Sequence, residues 1–468
     1  MFSRLFAFGL LALVSTATAG PNDWPGFRGP GMTATAPDAK LPATWSRTSN
    51  VAWTTEIAGN GWSSPIVWNG TVYVTTAVSG KPFKEPSPGL YGNDYIAELR
   101  AQGLPPDEVA RRVRARDNET PEESDAISYR VIALDAATGK VKWEREAFSG
   151  VPFGGRHRKN TYASETPFTD GERLYVSFGQ NVGLFVYSLD GTPLWKKTWP
   201  PQRIYLDFGT ASSPIVHDGR VILLHDNEQE SSILALDAKS GAEIWKKDRP
   251  RAGFLNSAWN TPFIWRHDLR TEIVTTGHGF ILSYDLQGNE LWRIALTGIT
   301  MPTPSAFAAG GMLFVGTGSQ QDGANRPFFA VRPGASGDIT LKDGETSNAS
   351  IAWHHSRASG YTPSGIAHQG RIYLVHDIGI LAVLNAETGR EIYKARIGGG
   401  GQTFSASPVA AGNHLYFLNE DGETFVLEAG DQYKEVARND LDEMSLASPA
   451  IAGNAMFIRT RTKLYKIK

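Results

Sequence analysis

A ten-residue device recurs along this sequence, as LDAATGKVKW (134–143), LDAKSGAEIW (236–245) and LNAETGREIY (384–393). A second mark alternates with it. Small polar residues beside a proline precede β-rich runs at SSPIVWNGTVYV (63–74), SETPFTDGERLYV (164–176), SSPIVHDGRVILL (212–223), NTPFIW (260–265), PTPSAFAAGGMLFV (302–315), YTPSGIAHQGRIYLV (361–375), SASPVAAGNHLYFL (405–418) and ASPAIAGNAMFI (447–458). Self-similarity at a spacing of about forty to fifty residues is the signature of a repeat architecture. The eight starts define eight units.

Within a unit, runs of Val, Ile, Leu, Tyr and Phe are separated by Asn69-Gly70, Asp170-Gly171, Asp218-Gly219 or Gly412-Asn413. Such pairs supply the positive φ angles of tight hairpins, so each unit reads as four short antiparallel strands. In the recurring device, Asp135 accepts backbone N–H groups of the turn and Gly139 takes its left-handed position. Trp143 then lies on the outer strand, set to pack against the next unit. The same closing aromatic occurs at Trp195, Trp245, Trp292 and Tyr393. Eight sheets arranged radially bury one another's faces, which predicts an all-β, eight-bladed β-propeller over residues 50–468. The last unit has room for three strands only, and NVAWTTEI (50–57) carries Trp53 where a closing strand would carry it. The N-terminal strand is therefore expected to complete blade eight, after an arm of residues 20–49.

Two insertions break the pattern. Residues 81–128 in blade one include GLPPDEVARRVRARD, with Pro and acidic residues first and arginines last, as a short helix requires. Ten carboxylates share this insertion, so its arginines read as one side of a solvated surface, and Arg112 and Arg114 are assigned to the face away from the channel mouth. Residues 319–352 in blade five, rich in Gly, Asn and Asp, read as a surface loop.

The first nineteen residues place Arg4 before an apolar run, Leu5 to Val14, and end in Ala17-Thr18-Ala19. That is the pattern of a cleavable export signal, and no other segment reads as a membrane span. The chain has no cysteine, which excludes disulfides, thiolate chemistry and a lipoprotein anchor, and leaves a periplasmic or secreted protein. A net charge of −2 supplies no field for nucleic acid.

Metal and nucleophile motifs are missing. The ten histidines show no HExxH spacing, there is no GxSxG or SxxK, and IGGGGQTF (397–404) does not open a helix. HDNEQES (225–231) and NEDGET (419–424) carry oxygen ligands for calcium but lack the twelve-residue loop pattern.

The repeats, with DWPGFRGP near the start, WNTPFIWRHDLRTEIVTTG (259–277), RPGASGDITL (332–341) and LDEMSLASPAIAG (441–453), resemble the bacterial PQQ-binding-like β-propeller repeat proteins. That group includes the quinoprotein alcohol dehydrogenases and the BamB-type outer-membrane assembly scaffold. The resemblance implies a propeller and leaves two functions open, because one scaffold carries unrelated jobs. One is a non-enzymatic binding or scaffold module without cofactor. The other is a PQQ-dependent oxidoreductase acting on an alcohol or sugar, with calcium, vicinal cysteines and an aspartate base at the channel. The cysteines are absent and no base matches by motif; Glu165 is the one start-motif carboxylate expected to point toward a channel ion. The missing parts favour binding. The loops that lead from one blade to the next meet at the channel mouth, which nominates Arg156, Arg158, Lys159, Tyr162, Arg203, Tyr205, Asp207, Trp259, Asn260, Arg357 and Tyr361. The expected occupant is an anionic or polyhydroxylated ligand, or an acidic patch on a protein partner.

Overall fold

The computed structural model describes residues 19–86, 93–122, 124–251, 255–298, 300–319 and 325–468, so the expected export signal lies outside the described residues apart from Ala19. Eight antiparallel sheets follow in chain order: blade one at 66–150, two at 168–197, three at 215–248, four at 263–295, five at 307–355, six at 366–396, seven at 409–440 and eight at 450–467. Blade eight takes its outer strand, Val51–Glu56, from the N-terminus, with Trp53 opposite Lys466 and Glu56 opposite Lys463. The ring closes as the repeat count requires.

The polar starts build an inner ring. One hydroxyl from each blade faces the axis, and in seven of the eight residues the backbone N–H donates to the next hydroxyl oxygen around the circle. The links run Ser64 to Thr166, Thr166 to Ser213, Ser213 to Thr261, Thr261 to Ser305, Ser305 to Ser364, Ser364 to Ser407 and Ser407 to Ser448, at 2.9–3.2 Å. In blades five and six the participating serine follows its proline instead of preceding it, so the motif shifts while the hydroxyl keeps its place.

The tryptophans build an outer ring. Trp53, Trp143, Trp195, Trp245 and Trp353 each donate from Nε1 to a turn carbonyl of the following blade, those of Ala136, Leu189, Ala238, Leu286 and Ala386. Each ring lies flat on that turn's glycine. At Gly139, which has φ 73°, a Cβ would come within 2.6 Å of the Trp53 ring, so glycine is demanded by the contact as well as by the turn. Asp135 closes the same turn by accepting from the N–H groups of Ala137 and Thr138 and from the Thr138 hydroxyl. Trp292 departs from the pattern: its N–H goes to the buried Glu272 of its own blade.

The insertions differ from their sequence readings. Blade five has its third strand at Phe328–Val331, inside the stretch read as a loop, where flanking prolines leave only a four-residue apolar run. Its fourth strand, Ile351–His355, carries the closing Trp353, and Gly337–Asp338 adds a parallel edge to blade four. Blade one carries two helices, α1 (Asn93–Ala101) and α2 (Pro106–Asp117), where one was expected. They do not sit on the far face. The inner strand of a blade runs away from the mouth and the second strand returns to it, so a second-to-third-strand insertion must emerge at the mouth.

The arm before blade one crosses the opposite face, on the side of the first hairpins. Trp24 exchanges backbone bonds with Val67, Pro25 accepts from Thr169, Ala34 accepts from Ala410, and Thr35–Ala36 pairs in parallel with blade seven. The first glycine of DWPGFRGP is forced by proximity, since a Cβ on Gly26 would lie 2.4 Å from the Phe168 ring.

Trp53 is buried while Trp143 keeps part of its surface in solvent. Trp53→Ala should therefore cost about 3 kcal/mol or more and Trp143→Ala about 2 kcal/mol in denaturant unfolding. Equal, negligible losses would show that neither ring holds its blades together.

Candidate functional site

The mouth-side loops, the insertion helices and the arm enclose a cup of about 400 Å³ on the ring axis. Phe27 from the arm forms its floor, and all eight inner-ring hydroxyl residues contribute to its lower wall. A hydroxyl that accepts a neighbour's N–H still has a proton to give and a second lone pair, so this wall can hydrogen-bond a ligand. Trp62, Tyr205, Phe208, Trp259, Tyr361 and Phe404 supply flat surfaces above it, and Ile96, Val113 and Arg114 of the helices form a roof over part of the mouth.

The carboxylates in the lining are already engaged. Glu420 meets Lys159 at 2.5 Å and also accepts from Thr403 and Ser405. Asp117 is held by Arg116 at 2.5 Å, and Asp377 by the buried Arg326 at 2.9 Å. His157, also in the lining, is driven down to about 3 by burial and by the neighbouring cations Lys159, Arg156, Arg158 and Arg116, so its ring is neutral at physiological pH. Burial lifts the Tyr361 phenol to about 12, which keeps it protonated as a donor.

Of the residues nominated from sequence, Lys159, Tyr205, Trp259 and Tyr361 line this cup together. Trp259 is fixed by donating to the Gly209 carbonyl at 2.7 Å. The others are placed elsewhere. Arg156 is 1 % exposed and works as an internal tie, donating to the carbonyls of Asn160, Arg158 and Lys84 and pairing with Glu119. Arg158 holds the insertion through the carbonyls of Glu85 and Arg116. Tyr162, Arg203 and Asp207 border a separate cavity of about 30 Å³, roomy enough for a water or two. Asn260 is buried behind the wall, bonded to Thr276 and Pro302, and Arg357 is exposed outside the cup. Glu165 does not reach the channel; it is enclosed between blades, with Oε1 lacking a hydrogen-bond partner.

Asp377, Phe27 and the helix roof were not anticipated as cup lining, and Glu420 was considered only within a stretch weighed for calcium. A signal existed for two of them, because Asp377 and Glu420 both stand two residues beyond the second strand of their blades, where that strand reaches the mouth. The acidic stretches considered for calcium are consumed internally: Asp226 pairs with Arg249, Glu228 caps Asn256 and Ser257, and Glu420 meets Lys159. Among the described residues, no three His, Asp or Glu side chains converge where they could hold a metal ion. The three cup carboxylates sit on separate walls, each with its own cation. Among the described residues, the cup carboxylates therefore form no shared cation site.

Eight four-stranded blades, a hydroxyl ring and tryptophan-docked turns define a PQQ-like β-propeller with one end stopped. The sequence profile described as outer membrane protein assembly factor BamB matches residues 125–321 and 336–468, and the chain belongs to that family. BamB from Moraxella catarrhalis superposes with a TM-score of 0.51 at 14% identity, over 75% of this chain and 91% of that one. Quinohemoprotein alcohol dehydrogenase from Comamonas testosteroni gives 0.60 at 11%, over 97% and 81%, and the ADHIIG enzyme of Pseudomonas putida HK5 gives 0.59 at 10%, over 95% and 80%. These likenesses establish the fold alone. No curated protein sequence matches the chain. Among the described residues no helix is long and apolar enough to cross a membrane.

Glu165 offers a pH test of the wall. Burial raises its carboxyl from 4.5 to about 7, so the folded state holds a proton that the unfolded state has lost. Stability must then fall as pH rises from about 4.5 to about 7, by a total of about 3 kcal/mol, and stay lowered above. Glu165→Gln should flatten that decline, measured as the difference between variant and parent unfolding curves. Parallel curves would place the carboxyl in contact with water.

Proposed function

We propose that this protein is an exported, non-enzymatic binding propeller that holds a polyhydroxylated ligand in its mouth-side cup and presents that face to its surroundings. The supporting observation is the make-up of the cup: a ring of hydroxyls below, aromatic faces above, and carboxylates already spent on ion pairs. Hydroxyl groups paired with flat apolar surfaces match a molecule with polar edges and C–H faces, and the enclosed volume suits a small molecule. The family's name, taken from an assembly factor, is consistent with a role by binding, and the helix roof gives this chain a mouth surface of its own for a protein partner. Export, with cleavage after Ala19, rests on the N-terminal sequence.

The quinoprotein alternative asks for a cation site, and the pairing of each lining carboxylate with a cation of the protein favours the binding reading. Purification from the native host decides between them: the binding reading expects no stoichiometric quinone absorbance or calcium, and finding both would replace it. Ala211 lines the cup and is not itself a member of the hydroxyl ring, so Ala211→Trp should fill the space. Against a panel of neutral sugars in calorimetric titration, the parent should bind and the variant should lose at least about tenfold in affinity with an unchanged unfolding midpoint. Undiminished binding by the variant would place the ligand elsewhere.

A further inference from the structure

Counting charges around the cup leaves two guanidiniums over. Each lining carboxylate has its cation: Asp117 has Arg116, Asp377 has Arg326 and Glu420 has Lys159. Arg114, in the roof, is solvent-exposed and has a side chain with no ion pair or hydrogen bond among the described residues. Arg28 lies just below the floor in the same arm as Phe27, 1 % exposed, with its guanidinium 5.4 Å from the centre of the Phe307 ring. It donates from Nη2 to the Gly365 carbonyl at 2.6 Å and from Nε to Met32 at 3.2 Å, while Nη1 is buried without a partner. No carboxylate faces it; burial alone pulls it down to about 9, so it remains charged near neutrality. Gly365 directly follows Ser364 of the hydroxyl ring, which puts this charge one residue beneath the lower wall.

A buried, uncompensated cation raises the potential of the space beside it far more than it would in water, and an anion entering that space gains what the protein has not supplied. The hydroxyl ring and aromatic faces recognise the body of a sugar-like molecule but do nothing for this surplus. We infer that the ligand of the cup carries one compact oxyanion, a carboxylate or a phosphate, on a polyhydroxylated body, with the hydroxyls toward the inner ring and the oxyanion toward Arg114. This rests on the cup being the binding site. The guanidinium fork of Arg114 can meet two oxygens of either anion, and Arg28 contributes through its field from below.

The test compares glucose, glucuronate and glucose 6-phosphate by calorimetric titration of the mature protein. Either anion should bind about tenfold more tightly than glucose at low salt, and the gap should narrow as ionic strength rises. The stronger of the two anions identifies the oxyanion. Arg114→Gln should close the gap by weakening both anions about tenfold more than it weakens glucose, and Arg111→Gln, which removes a partner of Glu108 on the same helix and lies outside the cup lining, should leave the gap intact. Glucose binding that matches both anions, or an Arg114→Gln loss shared equally by glucose, overturns the charge inference and spares the cup. If none of the three binds at millimolar concentration, both readings fall.

Discussion

The inner circle of hydroxyl-to-backbone bonds sets the dimensions that everything else inherits. A backbone N–H at the start of each inner strand points toward the neighbouring blade, where a strand partner is geometrically unavailable. Buried and unpaired it would cost about 1–3 kcal/mol, and the circle repeats it blade after blade. A short hydroxyl from the next blade satisfies it within a fixed reach, and that reach fixes how far apart adjacent blades can stand at the axis. A longer side chain would widen the circle or turn its oxygen into the lumen. Serine and threonine are therefore selected by circumference, and the same atoms that space the blades become the wall of the cup.

The tryptophan contacts do the complementary work at the rim. Blades diverge outward, so the gap between outer strands must be filled by something large and flat that also satisfies a turn carbonyl. An indole laid on a glycine with its N–H on the adjacent carbonyl meets all three needs. Where the rim is covered by other means, the device relaxes. Blade four gains an extra parallel strand from the blade-five insertion, and there Trp292 turns inward to the Glu272 carboxylate, which His267 and Arg270 also approach at 2.8–2.9 Å.

Periodicity made the blade count, the closing strand and the turn staples legible: the polar starts recur eight times, the docked tryptophan recurs in five blades, and the one incomplete blade shows where the N-terminal strand must go. What the sequence hid are features that occur once. Phe328–Val331 is a strand by virtue of its neighbours in blade five, with too few residues to declare itself. The arm resembles a loop in composition, yet Phe27 and Arg28 close the channel because Trp24, Pro25 and Ala34 are tied to three different blades. For the site, loop position picked out Lys159, Tyr205, Trp259 and Tyr361 correctly as cup lining but could not separate them from Arg156 and Asn260, whose side chains turn back into the protein to satisfy carbonyls. Residue type cannot distinguish an arginine that holds a loop from one that faces a cavity. Only the path of the neighbouring backbone does so.

The arm also explains why one face of the ring differs from the other. An eightfold circle of hydroxyls would on its own line a passage open at both ends, with no reason to retain a molecule. Crossing the hairpin side, the arm ends that passage with an aromatic ring and brings a guanidinium whose charge no carboxylate among the described residues answers. On the other side the insertion helices cover part of the mouth, and the arginines of the blade one-to-two loop fasten them by backbone carbonyls. Both additions come from segments outside the repeat. The repeat thus supplies a symmetric frame whose polar atoms are committed to holding it together, and direction, depth and net charge enter through the two stretches that break the symmetry.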